Sequence, residues 1–196
     1  MAERTENTGI LKMRNQLRVM SRLLIVGAFV LLASLTAQAQ SEPVVSGKML
    51  LDTDSVHAGS AAKVAVVAEV APGYHINDHV PSLDYLIPTE LKLKAAPPIE
   101  AGRAAYPKGT PRKFSFMEQP ISVYEGKLVV GESLKIAADA KPGVYQLQGT
   151  LEYQACNDHA CLAPTKLPVS LEIKVVPRSE ALKRTNSDVF STLKLN

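Results

Sequence analysis

The segment LPVSLEIKVV, residues 167–176, alternates apolar and polar side chains with a period of two residues. Leucine, valine and isoleucine occupy its odd-numbered positions, whereas Ser170, Glu172 and Lys174 lie between them. Successive side chains of an extended chain point to opposite faces, so this pattern is typical of a β-strand with one buried face. A helix would spread the same apolar residues around its axis and leave several of them in water.

Five further runs have the length and composition of strands: VVSGKMLLD, AKVAVVAEV, YLIPTELKL, KLVVGESLKIAA and GVYQLQGTLEYQA. Turn signals separate them, notably Pro72-Gly73 and Pro142-Gly143. Nothing after the N-terminal region shows an apolar stripe at helical spacing, and thirteen prolines argue against long helices. We therefore predict an all-β fold, an antiparallel β-sandwich of about seven short strands.

The first 39 residues have the layout of a secretory signal. Basic residues up to Arg22 precede the apolar run LLIVGAFVLLASL, and the small-residue pattern Ala37-Gln38-Ala39 follows it. A single transmembrane anchor is the alternative interpretation, but the run holds thirteen residues, and a spanning helix needs about twenty. We expect residues 1–39 to be a cleaved signal peptide, which places the remaining chain in the periplasm or outside the cell.

The charge of the chain depends on its N-terminus. Of 22 basic and 19 acidic residues, five and two lie in residues 1–39, so the remainder carries 17 of each. A neutral chain gives no reason to expect a nucleic-acid partner. No second apolar run is long enough to span a membrane, so we expect no membrane span after signal cleavage.

The remaining chain is long enough for one domain with its own core, which does not need a disulfide to fold. We assign this domain to residues 40–177 and expect residues 178–196 to form a polar C-terminal tail, either a short helix or frayed chain. The stretch from Ala95 to Gln119 is rich in proline, glycine and small residues and is expected to be a long loop.

Both cysteines of the chain, Cys156 and Cys161, lie close together in sequence. The five residue steps from Cys156 to Cys161 span about 16 Å in an extended chain, whereas a disulfide needs Cα atoms roughly 4.4–6.8 Å apart. A bond between the two cysteines therefore requires a chain reversal. The intervening Asn157 and Asp158 suit a turn. The simplest geometry is a hairpin whose four-residue loop places the two cysteines opposite each other.

Three interpretations of this pair remain open. A bridge that closes about six residues stabilises a fold by only roughly 2 kcal/mol, which favours a redox pair over a structural staple. His159 between the cysteines can lower a thiol pKa when charged, or is an ordinary exposed turn residue. Cys156, His159 and Cys161 could also bind a metal, but structural zinc sites normally add a distant second pair of ligands. We expect no metal and no organic cofactor.

The residues Tyr153-Gln154-Ala155-Cys156 and Cys161-Leu162-Ala163-Pro164 resemble the YQxC…CxxP segment of a known family, the N-terminal periplasmic domain of the thiol:disulfide interchange protein DsbD. Upstream, GYHINDHVPSLDYLIPTELKL (residues 73–93) is similar to a second stretch of that family. Together the resemblance runs from about residue 44 to residue 176.

The resemblance implies an immunoglobulin-like sandwich in which Cys156 and Cys161 exchange electrons with partner proteins. In the family, a loop with an aromatic cap shields the pair, and the matching region here is 113–124, with Phe116 or Met117 nearest the cap position and Glu118 as the acidic neighbour. An equally plain interpretation makes Phe114 and Phe116 alternating core residues. Tyr74 and Tyr153 are expected near the disulfide.

The implied activity is that of a protein-disulfide reductase type of thiol:disulfide oxidoreductase. Because the sequence ends at Asn196 without a reductase domain, we expect a separate membrane or thioredoxin-like reductase as electron donor and oxidised periplasmic proteins as acceptors. The competing class is a non-catalytic binding module that uses the loop from Ala95 to Gln119. A third class is a copper or zinc chaperone that uses the two cysteines and His159.

Overall fold

The computed structural model describes residues 43–115 and 118–193, so the expected signal peptide at residues 1–39 lies outside the described residues. Twelve strands and one short helix occur in this part of the chain. They are β1 (Val45–Leu51), β2 (Val56–His57), β3 (Ala61–Val70), β4 (His75–Asn77), β5 (Glu90–Lys94), β6 (Ile99–Ala101), β7 (Thr110–Arg112), β8 (Ile121–Tyr124), β9 (Lys127–Ile136), β10 (Gly143–Tyr153), β11 (Ala155–Cys156), β12 (Thr165–Val176) and α1 (Ser187–Phe190).

The strands form three four-stranded sheets. The first sheet has the order β1-β3-β9-β6, the second β2-β12-β10-β5 and the third β11-β4-β8-β7. Neighbours are antiparallel throughout, apart from a two-residue parallel pairing of β2 with β12. The predicted all-β, antiparallel, immunoglobulin-like sandwich is confirmed.

The core lies where the inner faces of the first and second sheets meet. Val130 of β9, Leu147 and Leu151 of β10, and Ile173 of β12 are fully buried in one hydrophobic cluster. Each such side chain contributes roughly 1.5–3 kcal/mol by its removal from water. The predicted alternation of residues 167–176 is seen in β12, where Ser170, Glu172 and Lys174 are exposed and the apolar residues between them are buried or half-buried.

The first sheet is covered on its outer face as well. Ala65 and Val67 of β3 pack there against Val189 of α1. The segment before α1 is held by hydrogen bonds, since the Asn186 side-chain amide donates to the carbonyl of Leu51 at 2.9 Å. Burial on both faces explains why β3 contains an uninterrupted apolar run instead of an alternating one.

The stretch from Ala95 to Gln119, expected to be a loop, contains two three-residue strands in its described part. β6 pairs with β9 in the first sheet, and β7 pairs with β8 in the third. Strands this short, set among prolines and glycines, carry no alternation that a sequence pattern can reveal.

Asp78, directly after β4, holds the third sheet together. Its carboxylate accepts hydrogen bonds from the hydroxyls of Ser122 and Tyr124 of β8, both at 2.6 Å, and from the backbone N–H of Gly109 at 3.2 Å. Partial burial acts to raise the pKa of Asp78, but these hydrogen bonds outweigh it and the net pKa is lowered. The carboxylate is therefore ionised near neutral pH and fixes the strands that carry the site described next.

Candidate functional site

Cys156 and Cys161 form a disulfide at the base of a tight hairpin. Their Cα atoms are 4.0 Å apart and the two residues form an antiparallel bridge. The side-chain oxygen of Asn157 accepts hydrogen bonds from the backbone N–H groups of His159 and Ala160, both at 2.9 Å. The predicted four-residue hairpin loop is thus confirmed, with Asn157 as the side chain that closes the turn.

The two cysteines differ in their access to solvent. Cys156 belongs to β11 and is 2% exposed, whereas Cys161 is exposed. Ala155 packs into the main core, so the alternation of β11 turns the side chain of Cys156 to the opposite face of the third sheet. An incoming thiolate can therefore approach the sulfur of Cys161 more easily than that of Cys156.

His75 lies opposite Cys156 in the third sheet. β4 and β11 pair with Cys156 facing His75 and Ala155 facing Ile76. The turn before β4 requires Gly73, whose φ of 81° is a left-handed conformation that other residues rarely adopt. That turn brings His75 to the first position of β4.

Phe114 covers this histidine. The two rings are stacked with their centroids 4.2 Å apart, and His75 and Phe114 are 3% and 8% exposed. Phe114 belongs to a small hydrophobic cluster with Ile121 and Val123, separate from the main core. His75 thus lies in the part of the third sheet that Phe114 covers, and Cys156 is its partner across the strand pair.

The charge on His75 is set by opposing effects. Burial lowers the pKa of the imidazole and is the largest influence, while the carboxylates of Glu125 and Asp158 act to raise it. Glu125 is itself paired with Arg112, whose guanidinium nitrogen lies 2.6 Å from a carboxylate oxygen. The net pKa is below the usual value, so His75 is neutral near neutral pH.

A pocket of about 320 Å³ opens beside His75. Tyr74, Phe114, Glu125 and Asp158 contribute to its lining. It connects the covered face of the third sheet with solvent, next to the hairpin loop that carries Asp158.

The structure places the other predicted site residues in different environments. His159 is exposed on the hairpin loop, and Tyr74 is half-buried at the pocket. Tyr153 is buried in the main core, where burial raises its pKa. Glu118 is exposed, and its backbone carbonyl accepts a hydrogen bond from the Lys113 ammonium group.

The two predicted cap residues, Phe116 and Met117, lie outside the described residues. Sequence reasoning did not identify His75, which lies opposite Cys156 in the third sheet, or Phe114, which stacks on His75. His75 is part of the stretch 73–93 that carries the family resemblance, and that resemblance gave it no role at the disulfide. Within residues 43–115 and 118–193, no three His, Cys, Asp or Glu side chains are grouped as a metal ion would require.

A β-sandwich with a hairpin disulfide, in which one cysteine is buried and the other exposed, is an arrangement suited to the class of thiol:disulfide exchange domains. The family model of the N-terminal domain of the thiol:disulfide interchange protein DsbD matches residues 47–172. The chain belongs to this family. No curated protein sequence matches it significantly.

Solved structures with similar folds include members of the same family. The reduced N-terminal domain of DsbD from Neisseria meningitidis has 17% sequence identity, with 72% of this chain and 90% of that chain covered and a TM-score of 0.41. The N-terminal periplasmic domain of ScsB from Proteus mirabilis has 15% identity over 68% of this chain and 47% of that chain, with a TM-score of 0.43.

A third similar structure is a complex of the DsbD and PilB N-terminal domains from Neisseria meningitidis. It has 18% identity over 64% of this chain and 80% of that chain, and a TM-score of 0.33.

In the chain described here, no helix among the described residues is long and apolar enough to cross a membrane.

Proposed function

We propose that this domain is an exported thiol:disulfide exchange module that passes reducing equivalents from a separate reductase to oxidised periplasmic proteins through Cys156 and Cys161. The observation that carries the proposal is the disulfide itself, which closes a short hairpin and leaves Cys161 exposed while Cys156 is buried. Family membership supports the general chemistry.

The exchange proceeds in two displacements. A reductase thiolate attacks the sulfur of Cys161, the bond between the two cysteines breaks, and Cys156 leaves as a thiolate that takes up a proton. A second reductase thiolate then attacks the reductase's own sulfur in the mixed disulfide and releases Cys161. The reductase has become a disulfide, and the domain holds two thiols and two electrons.

Delivery to an acceptor repeats these steps in the opposite sense. The exposed Cys161 thiolate attacks an acceptor disulfide, and Cys156 then attacks Cys161 and releases the acceptor as a dithiol. The exposure of Cys161 supports it as the cysteine that attacks first, since the buried sulfur of Cys156 needs only to reach its neighbour.

The fold tolerates this cycle because the disulfide contributes little to it. The core lies between the first and second sheets, and the bridge closes a hairpin with a sequence separation of five residues. Cross-links that close loops this short stabilise a domain by about 2 kcal/mol or less. The sandwich should therefore remain folded in both redox states.

Family membership and the similar structures support the proposed location and partners. The similar ScsB domain is described as periplasmic, and the similar DsbD domain forms a complex with a PilB domain. With residues 1–39 as a cleaved signal and residues 40–177 as the exchange domain, this chain would meet its thioredoxin-like or membrane-bound reductase and its acceptors in the periplasm.

Trapping with single-cysteine variants tests the proposal. Cys156→Ser leaves the exposed Cys161 without a resolving partner, so it should accumulate mixed disulfides with exported proteins, which mass spectrometry identifies. Cys161→Ser is the matched control and should trap far less. A measured reduction potential of the wild-type pair below about −300 mV, typical of inert structural bridges, would refute the exchange role.

The double variant Cys156→Ser, Cys161→Ser separates exchange from a binding module. Loss of disulfide reduction in acceptor proteins supports exchange. Retained partner binding with unchanged thiol status of exported proteins would show instead that the disulfide only fixes a hairpin.

A further inference from the structure

We propose that the imidazole of His75 is the hydrogen-bonding and proton partner of the Cys156 thiolate formed whenever the disulfide opens, an inference that rests on the exchange function proposed above. No sequence motif assigned this role to His75. The inference depends on the pairing of two short strands that are far apart in the chain, β4 and β11.

The strand register places the two side chains together. Cys156 and His75 are directly opposite in an antiparallel pair, and side chains in such pairs share one face with Cβ atoms roughly 4.5–5.5 Å apart. Their neighbours Ala155 and Ile76 are buried in the main core. A slip by one residue would expel both from the core, so the register that brings His75 to Cys156 is strongly fixed.

The burial of Cys156 creates the need for a partner. When a thiolate attacks Cys161, the electron pair of the broken bond stays on the sulfur of Cys156, which is 2% exposed in the oxidised protein. A buried anion without a donor or counter-charge is strongly disfavoured, and an apolar environment raises the pKa of a thiol. Without a partner, Cys156 would be a poor leaving group and a poor attacking group.

His75 has the properties that this partner requires. Stacking on Phe114 holds its ring in place. While the disulfide is intact, the cysteines carry no charge, and burial keeps the imidazole neutral with one N–H group. That N–H can donate to the new thiolate, and the ring nitrogen without a hydrogen can accept the proton that would otherwise sit on sulfur.

The proton balance is closed by solvent. The attacking thiol loses its proton to water before it attacks, and water returns one proton to the pair formed by Cys156 and His75. The pair shares this proton as a thiolate next to an imidazolium, and releases it when Cys156 attacks to restore the disulfide. The electrons remain on sulfur throughout.

The surrounding charges favour the imidazolium form once the thiolate is present. The carboxylate of Asp158, on the hairpin loop, and that of Glu125, in the turn between β8 and β9, both act to raise the pKa of His75. Arg112 of β7 offsets part of this effect through its ion pair with Glu125. Burial acts to lower the pKa of His75. A thiolate on Cys156, across the strand pair, adds a full negative charge that acts to raise it.

His159 is the competing histidine, since it lies between the two cysteines in sequence. It is exposed on the hairpin loop, so solvent screens its electrostatic influence on the thiols. The two histidines therefore form a matched pair for the experiment, one buried opposite Cys156 and one in water.

The test uses the full chain with Cys161→Ser, which leaves Cys156 as the only thiol, and follows thiolate formation by ultraviolet absorbance as the pH is raised. Adding His75→Phe, which keeps a ring to stack on Phe114, should raise the pKa of the Cys156 thiol by about one unit or more. At a pH well below that pKa, the fraction of thiolate should then fall about tenfold. Adding His159→Phe should leave it unchanged. An unchanged value in the His75→Phe protein would overturn the proposal.

A second measurement needs no substitution. The imidazole of His75 is titrated by NMR in the wild-type protein, oxidised and then reduced. Its pKa should be higher in the reduced protein, where Cys156 provides a thiolate, and identical titrations would overturn the proposal. Neither measurement requires exchange with a partner, so a shifted thiol pKa in a protein that traps no partner would reject only the proposed function.

Discussion

Cys156 and Cys161 share one covalent bond, yet Cys156 is 2% exposed whereas Cys161 is exposed. The difference arises because Cys156 is the last residue of β11 and pairs with the buried His75, while Cys161 follows the hairpin loop. The two sulfurs of one bond therefore differ in their access to solvent and in the side chains around them.

The first prediction concerns their rates of alkylation. In the single-cysteine variants, at a pH where both thiols are ionised, iodoacetamide should modify Cys161 at least about tenfold faster than Cys156, because access limits the buried thiol. Mass spectrometry over time gives both rates. Equal rates would show that the third sheet opens freely and would contradict the assigned order of attack.

The second prediction concerns the cover. In the Cys161→Ser background, Phe114→Ala removes the ring that stacks on His75, the residue opposite Cys156, so iodoacetamide should alkylate the ionised Cys156 thiol several-fold faster. Loss of a buried ring from this small cluster should lower the free energy of unfolding by about 1–3 kcal/mol, below the range for a main core.

A matched control for Phe114 is available at Phe190. This residue of α1 is half-buried against the outer face of the first sheet. In the same Cys161→Ser background, Phe190→Ala should reduce stability by a comparable amount without any change in the alkylation rate of Cys156. If both variants accelerate alkylation equally, the effect comes from general loosening and Phe114 is not a specific cover.

The third prediction concerns Glu132, which occupies a core-facing position of β9 between Val130 and Leu134 and is 5% exposed. Burial raises the pKa of this carboxyl to about 7 from 4.5. Between these values the folded chain binds the proton more tightly than the unfolded chain, so stability from Glu132 is full below about pH 4.5 and is lost as the pH rises through about 7.

Glu132→Gln removes this dependence. It should raise the free energy of unfolding by roughly 1–3 kcal/mol at about pH 8 and change it little near pH 4. Denaturant unfolding of the oxidised proteins measures the difference at each pH, and other groups such as His75 and Asp78 titrate in both proteins and cancel. A difference that does not vary with pH would mean that Glu132 is not protonated on burial.

The fourth prediction concerns the hairpin turn. Asn157→Ala removes two hydrogen bonds to backbone N–H groups of the loop. The oxidised hairpin must keep its closed shape without them, whereas the reduced hairpin can open, so the disulfide should become easier to reduce. A net loss of about 1 kcal/mol corresponds to a roughly fivefold shift in the equilibrium with glutathione.

Thr165→Ala is the control for this equilibrium. Its hydroxyl donates to the carbonyl of Ala163, outside the loop between the cysteines, so no shift is expected. If Asn157→Ala also leaves the equilibrium unchanged, the turn does not hold the thiols together in the reduced protein.

The sandwich and the hairpin were predictable because both depend on local patterns. The alternation in residues 167–176 defines one buried face of β12 wherever that strand lies, and the short spacing of Cys156 and Cys161 allows a disulfide only across a turn. Both inferences use properties of consecutive residues, which the sequence displays directly.

The environment of Cys156 was not predictable in the same way. His75 reaches Cys156 through the pairing of a three-residue with a two-residue strand, and elements so short carry no pattern that selects their partner. Phe114 was weighed as an alternating core residue, but only the folded chain shows that it stacks on His75. The cap role of Phe116, Met117 and Glu118 and the catalytic roles of the cysteines remain predictions.

Ala155 and Cys156 are consecutive residues of β11, yet Ala155 is buried in the main core and Cys156 points away from it. Insertion or deletion of a single residue in β11 would invert this arrangement and seal the sulfur among aliphatic side chains, out of reach of any dissolved thiolate. The loop from 157 to 160 faces no such restriction. Natural length variation in proteins built on this plan should therefore accumulate after the first cysteine and be absent immediately before it.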